Sequence, residues 1–339
     1  MGRRSVHPMK LSEWLPRYGV LVALAILMGF SAITQPGIFL SPENLRNLLN
    51  QNAAIGIISI GLTLVIAAGG IDLSVGSLMA LVAALGLITL NKLTGAGQTE
   101  VVAVMGAGAV CLGLGAGLGA LNGLMVSWGR IPPFIATLVS LVAFRSLTLA
   151  LADGGEIRSS SLIILPNLGQ GGIPLPMLPT PDGRPLMLTW GILAWGLVAL
   201  IGGYLLNQTR FGRYAIAVGA NERAARYSAI NVGAAKFWTY LVVGVFTGVS
   251  AFVLTARMNS VASSSMGLYY ELDAIAAVVI GGTSLTGGRA RVWGTVAGVL
   301  LLGIITNLLV LNGVSVYWQG VVKGLIILAA VLIQRRRTD

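Results

Sequence analysis

From Ala53 to Leu90 the chain is apolar, broken only by Gly69-Gly70-Ile71-Asp72-Leu73-Ser74. As one helix this stretch would run about 57 Å at 1.5 Å per residue, nearly twice a hydrocarbon core of about 30 Å. It must hold two spans that reverse at the glycines. Across the chain 55% of residues are hydrophobic and only 10% are charged, where ordinary soluble domains carry about 25% charged residues. The fold class expected is therefore all-α, a polytopic membrane bundle. Helices that fill a bilayer form one bundle, so residues 1–339 are read as a single transmembrane domain.

The remaining spans follow from similar apolar runs. Tyr18 to Ile33 comes after Arg3, Arg4, Lys10 and Arg17. No small-residue cleavage site precedes Gln35-Pro36 and further spans follow, so it reads as a retained helix rather than a signal peptide. Ser41 to Asn52 is polar and could start a short interfacial helix, with Pro42 in its first turn. Val101 to Val126 carries Gly115, Gly119 and Gly123 at four-residue intervals, leaving one face bare for close packing or a hinge. Pro132-Pro133 ends that region, and Phe134 to Ala152 spans next. Asp153 to Pro185 is rich in Gly and Pro, too polar to cross, and is expected as an outer loop. Leu186 to Leu206, Phe237 to Ala256, Leu272 to Leu285, Val292 to Leu311 and Val316 to Ile333 complete ten spans.

With ten crossings and a cytosolic N-terminus, fifteen of the 22 basic residues fall on the inside. Among them are Arg130, Arg289, Arg291 and Arg335-Arg336-Arg337. The bias places both termini (1–17 and 334–339) and the 207–236 loop in the cytosol. The seven others are Arg46, Lys92, Arg145, Arg158, Arg184, Arg257 and Lys323. The formal net charge of +11 thus serves orientation. No basic face with interleaved aromatics suggests nucleic acid.

Within the interior of the chain, Arg210 to Lys236 is polar for longest. It sets Arg210, Arg213, Arg223, Arg226 and Lys236 against one acid, Glu222. Asn221 can cap the run Glu222-Arg223-Ala224-Ala225-Arg226, with Glu222 favourable in the first turn. The stretch reads as a cytosolic handle for a partner; a solvated, membrane-anchoring loop is the plainer alternative.

Buried charge costs about 2.5 to 3.5 kcal/mol at a helix centre, so each ionisable residue within a span asks for a reason. Asp72 sits beside Ser74 and Ser77, and either anchors the start of the third span or takes part in a pathway. Asp273 poses the same choice, and Glu271 lies close to an interface. Arg145 falls near mid-span; it or Lys323 pairs with an acid across the bundle, unless Lys323 snorkels outward. Asn122 joins Asp72, Arg145, Asp273 and Lys323 as a structural or pathway candidate. A single His7 and a single Cys111 argue against a metal centre or Cys/His catalysis. No proton-relay chain, Ser/His/Asp set or GxxxxGK[ST] loop is present, so any driving energy enters from elsewhere. Gly69-Gly70-Ile71-Asp72-Leu73 and Gly281-Gly282-Thr283-Ser284-Leu285 echo each other as breaks before Gly- and Ala-rich helices, as in transporters built from repeats.

Four motifs carry a family likeness. Gly69-Gly70-Ile71-Asp72-Leu73-Ser74-Val75-Gly76-Ser77 resembles the signature of permease subunits of ribose-type ATP-binding-cassette sugar importers. So do Arg130 to Leu138 (RIPPFIATL) and Tyr270 to Leu285 (YELDAIAAVVIGGTSL). The fourth pairs Thr209-Arg210-Phe211-Gly212-Arg213-Tyr214 with Gly219-Ala220-Asn221-Glu222-Arg223-Ala224-Ala225-Arg226. The family embraces ribose, xylose, arabinose, galactofuranose and autoinducer-2 permeases, and the likeness covers about residues 40 to 335. The resemblance implies a multi-pass protein of the bacterial cytoplasmic (inner) membrane, not itself an enzyme and binding no cofactor. ATP and Mg would belong to partner ATPase subunits, an extracytoplasmic binding protein would deliver the sugar, and a second permease copy would complete the pathway. By position, Gly219 to Ile230 resembles the coupling helix that docks on the ATPase, through Gly219, Ala220, Asn221, Glu222, Arg223, Ala224, Ala225 and Arg226. Two departures stand out: extra Gly and Pro over Gly169 to Pro185, and Ser146 after Arg145 where the family usually has glycine. The rivals are a self-contained ion-coupled transporter or facilitator, using Asp72 or Asp273, and a membrane-embedded enzyme, for which no convergent catalytic set is visible.

Overall fold

The computed structural model describes residues 11–179 and 185–335. Arg3, Arg4, Lys10, Arg184, Arg336 and Arg337 of the charge count lie outside the described residues, as do His7 and Pro181. The elements run α1 (Leu11–Thr34), α2 (Pro42–Ala67), α3 (Val75–Gly95), α4 (Glu100–Ser127), α5 (Pro133–Leu151), β1 (Glu156–Arg158), α6 (Ile164–Gln170), β2 (Gly172–Pro179) and β3 (Pro185–Thr189). Then follow α7 (Trp190–Gln208), α8 (Arg210–Ala220), α9 (Glu222–Tyr227), α10 (Val232–Met258), β4 (Ser260–Ala262), α11 (Tyr270–Ile280), α12 (Val292–Leu311) and α13 (Val316–Arg335). Among the described residues, seven helices are long and apolar enough to cross a membrane: α2, α3, α4, α5, α7, α10 and α12. α1 contains a shorter apolar stretch, Val20–Thr34. The all-α membrane bundle expected from composition is what forms.

Three boundaries differ from the sequence reading. Ser41 to Asn52 is no separate interfacial helix but the first turns of α2, capped by the Ser41 hydroxyl accepting from the Asn44 amide at 3.2 Å. Nothing between Asn52 and Ala53 can stop a helix, and the polar face is satisfied laterally: Asn44 exchanges hydrogen bonds with Asn307 at 2.9 and 3.2 Å. α7 begins at Trp190 rather than Leu186, because Pro185–Thr189 is taken into a hairpin with β2. The Leu272 to Leu285 segment forms only α11, eleven residues long, which at 1.5 Å per residue covers about half of a hydrocarbon core.

α10 is the axis of the bundle, packed against α2, α3, α4 and α7. Its contact with α4 is backbone on backbone. A Cβ on Gly119 would stand 2.7 Å from the Gly244 Cα, and one on Gly115 would stand 2.9 Å from the Gly248 Cα. Gly123 continues the line against Phe237. The glycine stripe expected on the fourth span is thus a packing face, matched by a second stripe on α10.

Cross-links fix the level of the α2–α3 break. The Tyr240 hydroxyl donates to the Ile71 carbonyl at 3.0 Å, and the Ser250 hydroxyl to the Ala54 carbonyl at 2.8 Å and the Met79 sulfur at 3.4 Å. α3 therefore starts level with the middle of α10, between Tyr240 and Ser250. The chain reverses at Gly69, whose φ of +77° suits glycine, then climbs back irregularly through Gly70 to Ser74 before helix resumes. α11 also begins inside the bundle: Gly267, with φ +68°, packs its backbone on Gly76 in the first turn of α3.

The expected outer loop is a folded cap. β1 pairs antiparallel with β4, and β2 with β3. Glu100 accepts from the Ile163 and Ile164 amides at 2.9 and 2.8 Å, tying α6 to α4. Asn91 accepts from the Ser160 amide and donates to the Arg158 carbonyl, both at 2.8 Å.

The α4–α10 contact predicts a sharp contrast. Gly119→Leu should destabilise the purified chain by about 3 kcal/mol, the upper range for overpacking, since backbone cannot yield as a side chain does. Gly117→Leu, which points into open space, should leave the melting temperature unchanged. Equal melting temperatures for the two variants in a detergent thermal-unfolding assay would refute this packing.

Candidate functional site

The basic handle folds into two short helices set by three caps. Thr209 accepts from the Gly212 amide at 3.3 Å, Asn221 from the Ala224 amide at 3.0 Å, and Asn231 from the Ala234 amide at 2.9 Å. Asn221 is extended, with φ −162° and ψ 102°, so it ends α8 and starts α9 in one residue. The segment Gly219 to Ile230, read as one helix from sequence, is in fact the end of α8, this corner, and α9 proper over Glu222–Tyr227. α8 buries Gly212, Ala215 and Val218 on one face and turns Arg210, Arg213 and Tyr214 outward. Every residue of α9 is exposed except Ala225, which packs with Val218, Val232 and Ala235.

Glu222 holds α9 down. Its carboxylate accepts from Lys236 at 2.8 Å and from Arg226 at 3.1 Å. The Lys236 hydrogen bond pulls the carboxyl below its ordinary range, against the opposing effect of partial burial. A depressed folded pKa means that the tie contributes at pH above the unfolded carboxylate value and fades as pH falls through the folded one.

Where α8 ends, three parts of the chain touch. Gly219 lies against the Ala67 carbonyl at the end of α2, so a Cβ there has no room. A Cβ on Gly287 would stand 2.8 Å from the Gly219 Cα and 3.0 Å from the Gly69 Cα. The Gly288 amide donates to the Ala67 carbonyl at 3.0 Å. The two breaks that echo each other in sequence, after α2 and after α11, are thus joined to each other and to the corner that carries α9.

Of the residues singled out within the bundle, Asp72 and Asn122 come together. Ser140 donates to the Asn122 carbonyl oxygen at 2.5 Å, Asn122 to the Ser74 hydroxyl at 2.8 Å, and Ser74 to Asp72 Oδ1 at 2.6 Å. The Ser74 amide reaches the same oxygen at 2.8 Å, just ahead of α3. All four residues are buried. This one-way relay links α5, α4 and the α2–α3 break and ends on a carboxylate, the arrangement in which successive hydrogen bonds reinforce one another. Ser140, and Tyr240 on the neighbouring Ile71 carbonyl, were missed; a lone hydroxyl in an apolar run was their only signal.

The other candidates stand apart from that relay. Lys323 pairs with Asp273 at 2.8 Å, joining α13 to α11. Among the described residues Arg145 forms no ion pair: it donates to the Ser263 and Met266 carbonyls at 3.1 and 2.8 Å, holding the turn that precedes α11. Among the described residues no cluster of metal-ligating side chains occurs.

A family model described as branched-chain amino acid transport system / permease component matches residues 44–331. The chain belongs to this permease family. The ribose import permease protein RbsC of Escherichia coli (strain K12) is 40% identical, covering 96% of this chain and 95% of that protein. Its namesake in Bacillus subtilis (strain 168) is 41% identical over 96% and 94%, and the D-allose transport system permease protein AlsC of Escherichia coli (strain K12) is 33% identical over 97% and 94%. No solved structure matches. The permease is accordingly a multi-pass protein of the inner membrane.

Two tests follow from the permease's geometry. Asn122→Ala leaves the Ser140 hydroxyl without its acceptor and removes the donor to Ser74 Oγ, and should cost about 1–3 kcal/mol, whereas Asp72→Asn keeps an acceptor for Ser74 and should cost less; thermal unfolding of both variants decides, and a reversed order refutes the relay as drawn. Glu222→Gln imitates the protonated acid and should speed trypsin cleavage after Arg226 in the intact permease, an effect absent if α9 is not held by this carboxylate.

Proposed function

We propose that this permease is the transmembrane subunit of an ATP-binding-cassette importer that carries a ribose-like monosaccharide by alternating access. The observation that carries the reading is similarity over nearly the whole chain to ribose import permeases, and the exposed α9, which follows the α8 end that touches both glycine breaks, is consistent with it. A cytosolic ATPase, which holds ATP and Mg, moves α9; an extracytoplasmic binding protein delivers the sugar; a second permease copy completes the pathway. The chain itself is no enzyme and holds no cofactor of its own. Ten crossings with both termini inside fit the charge bias: α1, α13 and the half-length α11 with its flanking connections add to the seven long helices.

Support for the ATPase contact comes from the free surface of α9. Arg223 is exposed and, among the described residues, bound to no acid, so it is available to an acidic partner. Gly219, Ala220 and Ala225 form the seat, and Arg226 is partly spent on Glu222. Asp72 and Asn122 serve the shape of the pathway by holding three helices together, and the Asp273–Lys323 pair does the same for α11 and α13. Of the two acids that ion coupling would use, Asp273 is already paired with Lys323 and Asp72 Oδ1 holds the Ser74 amide and hydroxyl.

Reconstitution with and without the cognate ATPase and binding protein tests the reading. Uptake of labelled D-ribose, D-xylose or D-allose should require all components and ATP, with L-leucine as a control for the broader family. Uptake indifferent to omission of the ATPase overturns the importer reading. Arg223→Glu should weaken ATPase association about tenfold, or about 1.4 kcal/mol, while leaving membrane insertion intact; unchanged association removes α9 from the contact.

A further inference from the structure

A cavity of about 260 Å³ opens between α3, α5 and the turn leading into α11. Its polar lining comes from Ser77, Arg145, Ser264 and Glu271, and its apolar walls include Leu141 and Leu268. Both α3 and α11 begin here, in the interior of the bundle, with Gly76 and Gly267 in backbone contact beside the Glu271 carboxylate. Helices that start midway through a bundle are the places where transporters place cargo sites, because irregular backbone is tolerated only where it lines a cavity.

The side chains are unusual for a membrane bundle in being charged and underused. No side chain among the described residues hydrogen-bonds Glu271, and no ion pair joins it to Arg145 across the cavity. Arg145 spends one nitrogen, Nη1, on the Ser263 and Met266 carbonyls, and among the described residues no side chain accepts from it. A charge within a span is costly unless it has work to do. A carboxylate that no side chain hydrogen-bonds can accept from two neighbouring hydroxyls, a guanidinium donates to hydroxyl or ring oxygen, and leucines face C–H groups. Together these are the complement of a single polyhydroxylated ring. The volume lies below the range of drug-sized pockets and suits one small ligand.

We propose that this cavity is the permease's own contact site for its monosaccharide, with Glu271 as the residue that reads the hydroxyl pattern and Arg145 and Ser264 beside it. The proposal rests on the sugar-importer reading above and adds to it a specificity-determining site within the membrane subunit. Arg145 also holds the 263–266 turn, so Glu271 is the diagnostic position.

The test uses the complete importer in proteoliposomes, with uptake of labelled D-ribose, D-xylose and D-allose measured beside complex assembly and ATP hydrolysis. Glu271→Gln should cut uptake of the preferred sugar roughly tenfold, as loss of one hydrogen bond to a charged group does. It should also change the ratio among the three sugars, with assembly and ATP hydrolysis at the wild-type level. Unchanged uptake with an unchanged ratio overturns the proposal. A second measurement stands if that variant fails to assemble. Cys111 is the only cysteine in the chain and is buried, so Ser264→Cys places one reachable thiol in the cavity. Its labelling by a membrane-impermeant maleimide should slow when binding protein carries sugar, compared with the same mixture lacking sugar; equal rates overturn the proposal. A wild-type complex that takes up none of the three sugars sinks the importer's sugar reading and this site with it, whereas a transporting wild type with an indifferent Glu271→Gln variant sinks this site alone.

Discussion

Close backbone contact between α4 and α10 is the constraint from which the rest of the bundle follows. Between helices in lipid there is no hydrophobic drive to associate, so attraction must come from packing and hydrogen bonds, and both demand close approach. Gly115 and Gly119 on one helix and Gly244 and Gly248 on the other remove the side chains that would keep the axes apart. With the axes that near, Asn122 on α4 comes within reach of Ser74, and Tyr240 on α10 within reach of Ile71. The links from Ser140 to Asp72 Oδ1 form because the backbone contact sets their distances, while Asp72 Oδ2 stays buried without a hydrogen-bond partner among the described residues.

That relay stabilises an otherwise expensive feature, a stretch of non-helical chain inside the bundle. Backbone amides and carbonyls between Gly69 and Ser74 cannot all find partners along their own segment, and lipid supplies none. The Asp72 carboxylate and the Tyr240 hydroxyl take two of them. Gly69 touches the α8 corner through Gly287 and Gly219, and α9 rides on that corner. The corner meets the end of α2 and the chain after α11 through backbone rather than through side chains able to change rotamer. On the far side of the same two breaks lie the starts of α3 and α11 and the cavity between them, so handle and cavity share their supporting elements.

Much of this was legible one segment at a time. Asn221 announces a helix start through its own side chain and the acid after it, a signal complete within four residues, and the cap is present. The Gly115, Gly119 and Gly123 spacing announces a bare face because 3.6 residues make one turn. Long-range choices left no such trace. Arg145 chose two backbone carbonyls over an acid, and Lys323 chose Asp273, because distances between helices decide both and no local period encodes them. The short α11 was hidden by composition: Gly281-Gly282 looked like an interruption in a span, whereas the helix begins and ends within less than a full crossing.

By itself the sequence determined the solvent, the helical class, the Asn221 cap in the basic segment, and the glycine face, since each rests on local hydropathy, charge or backbone freedom. Only the tertiary structure decided where the breaks lie relative to the long helices, that the two of them meet beneath the handle, and that Arg145 and Glu271 share a cavity. Those facts depend on the separation of helices distant in sequence, a quantity set by packing across the whole bundle.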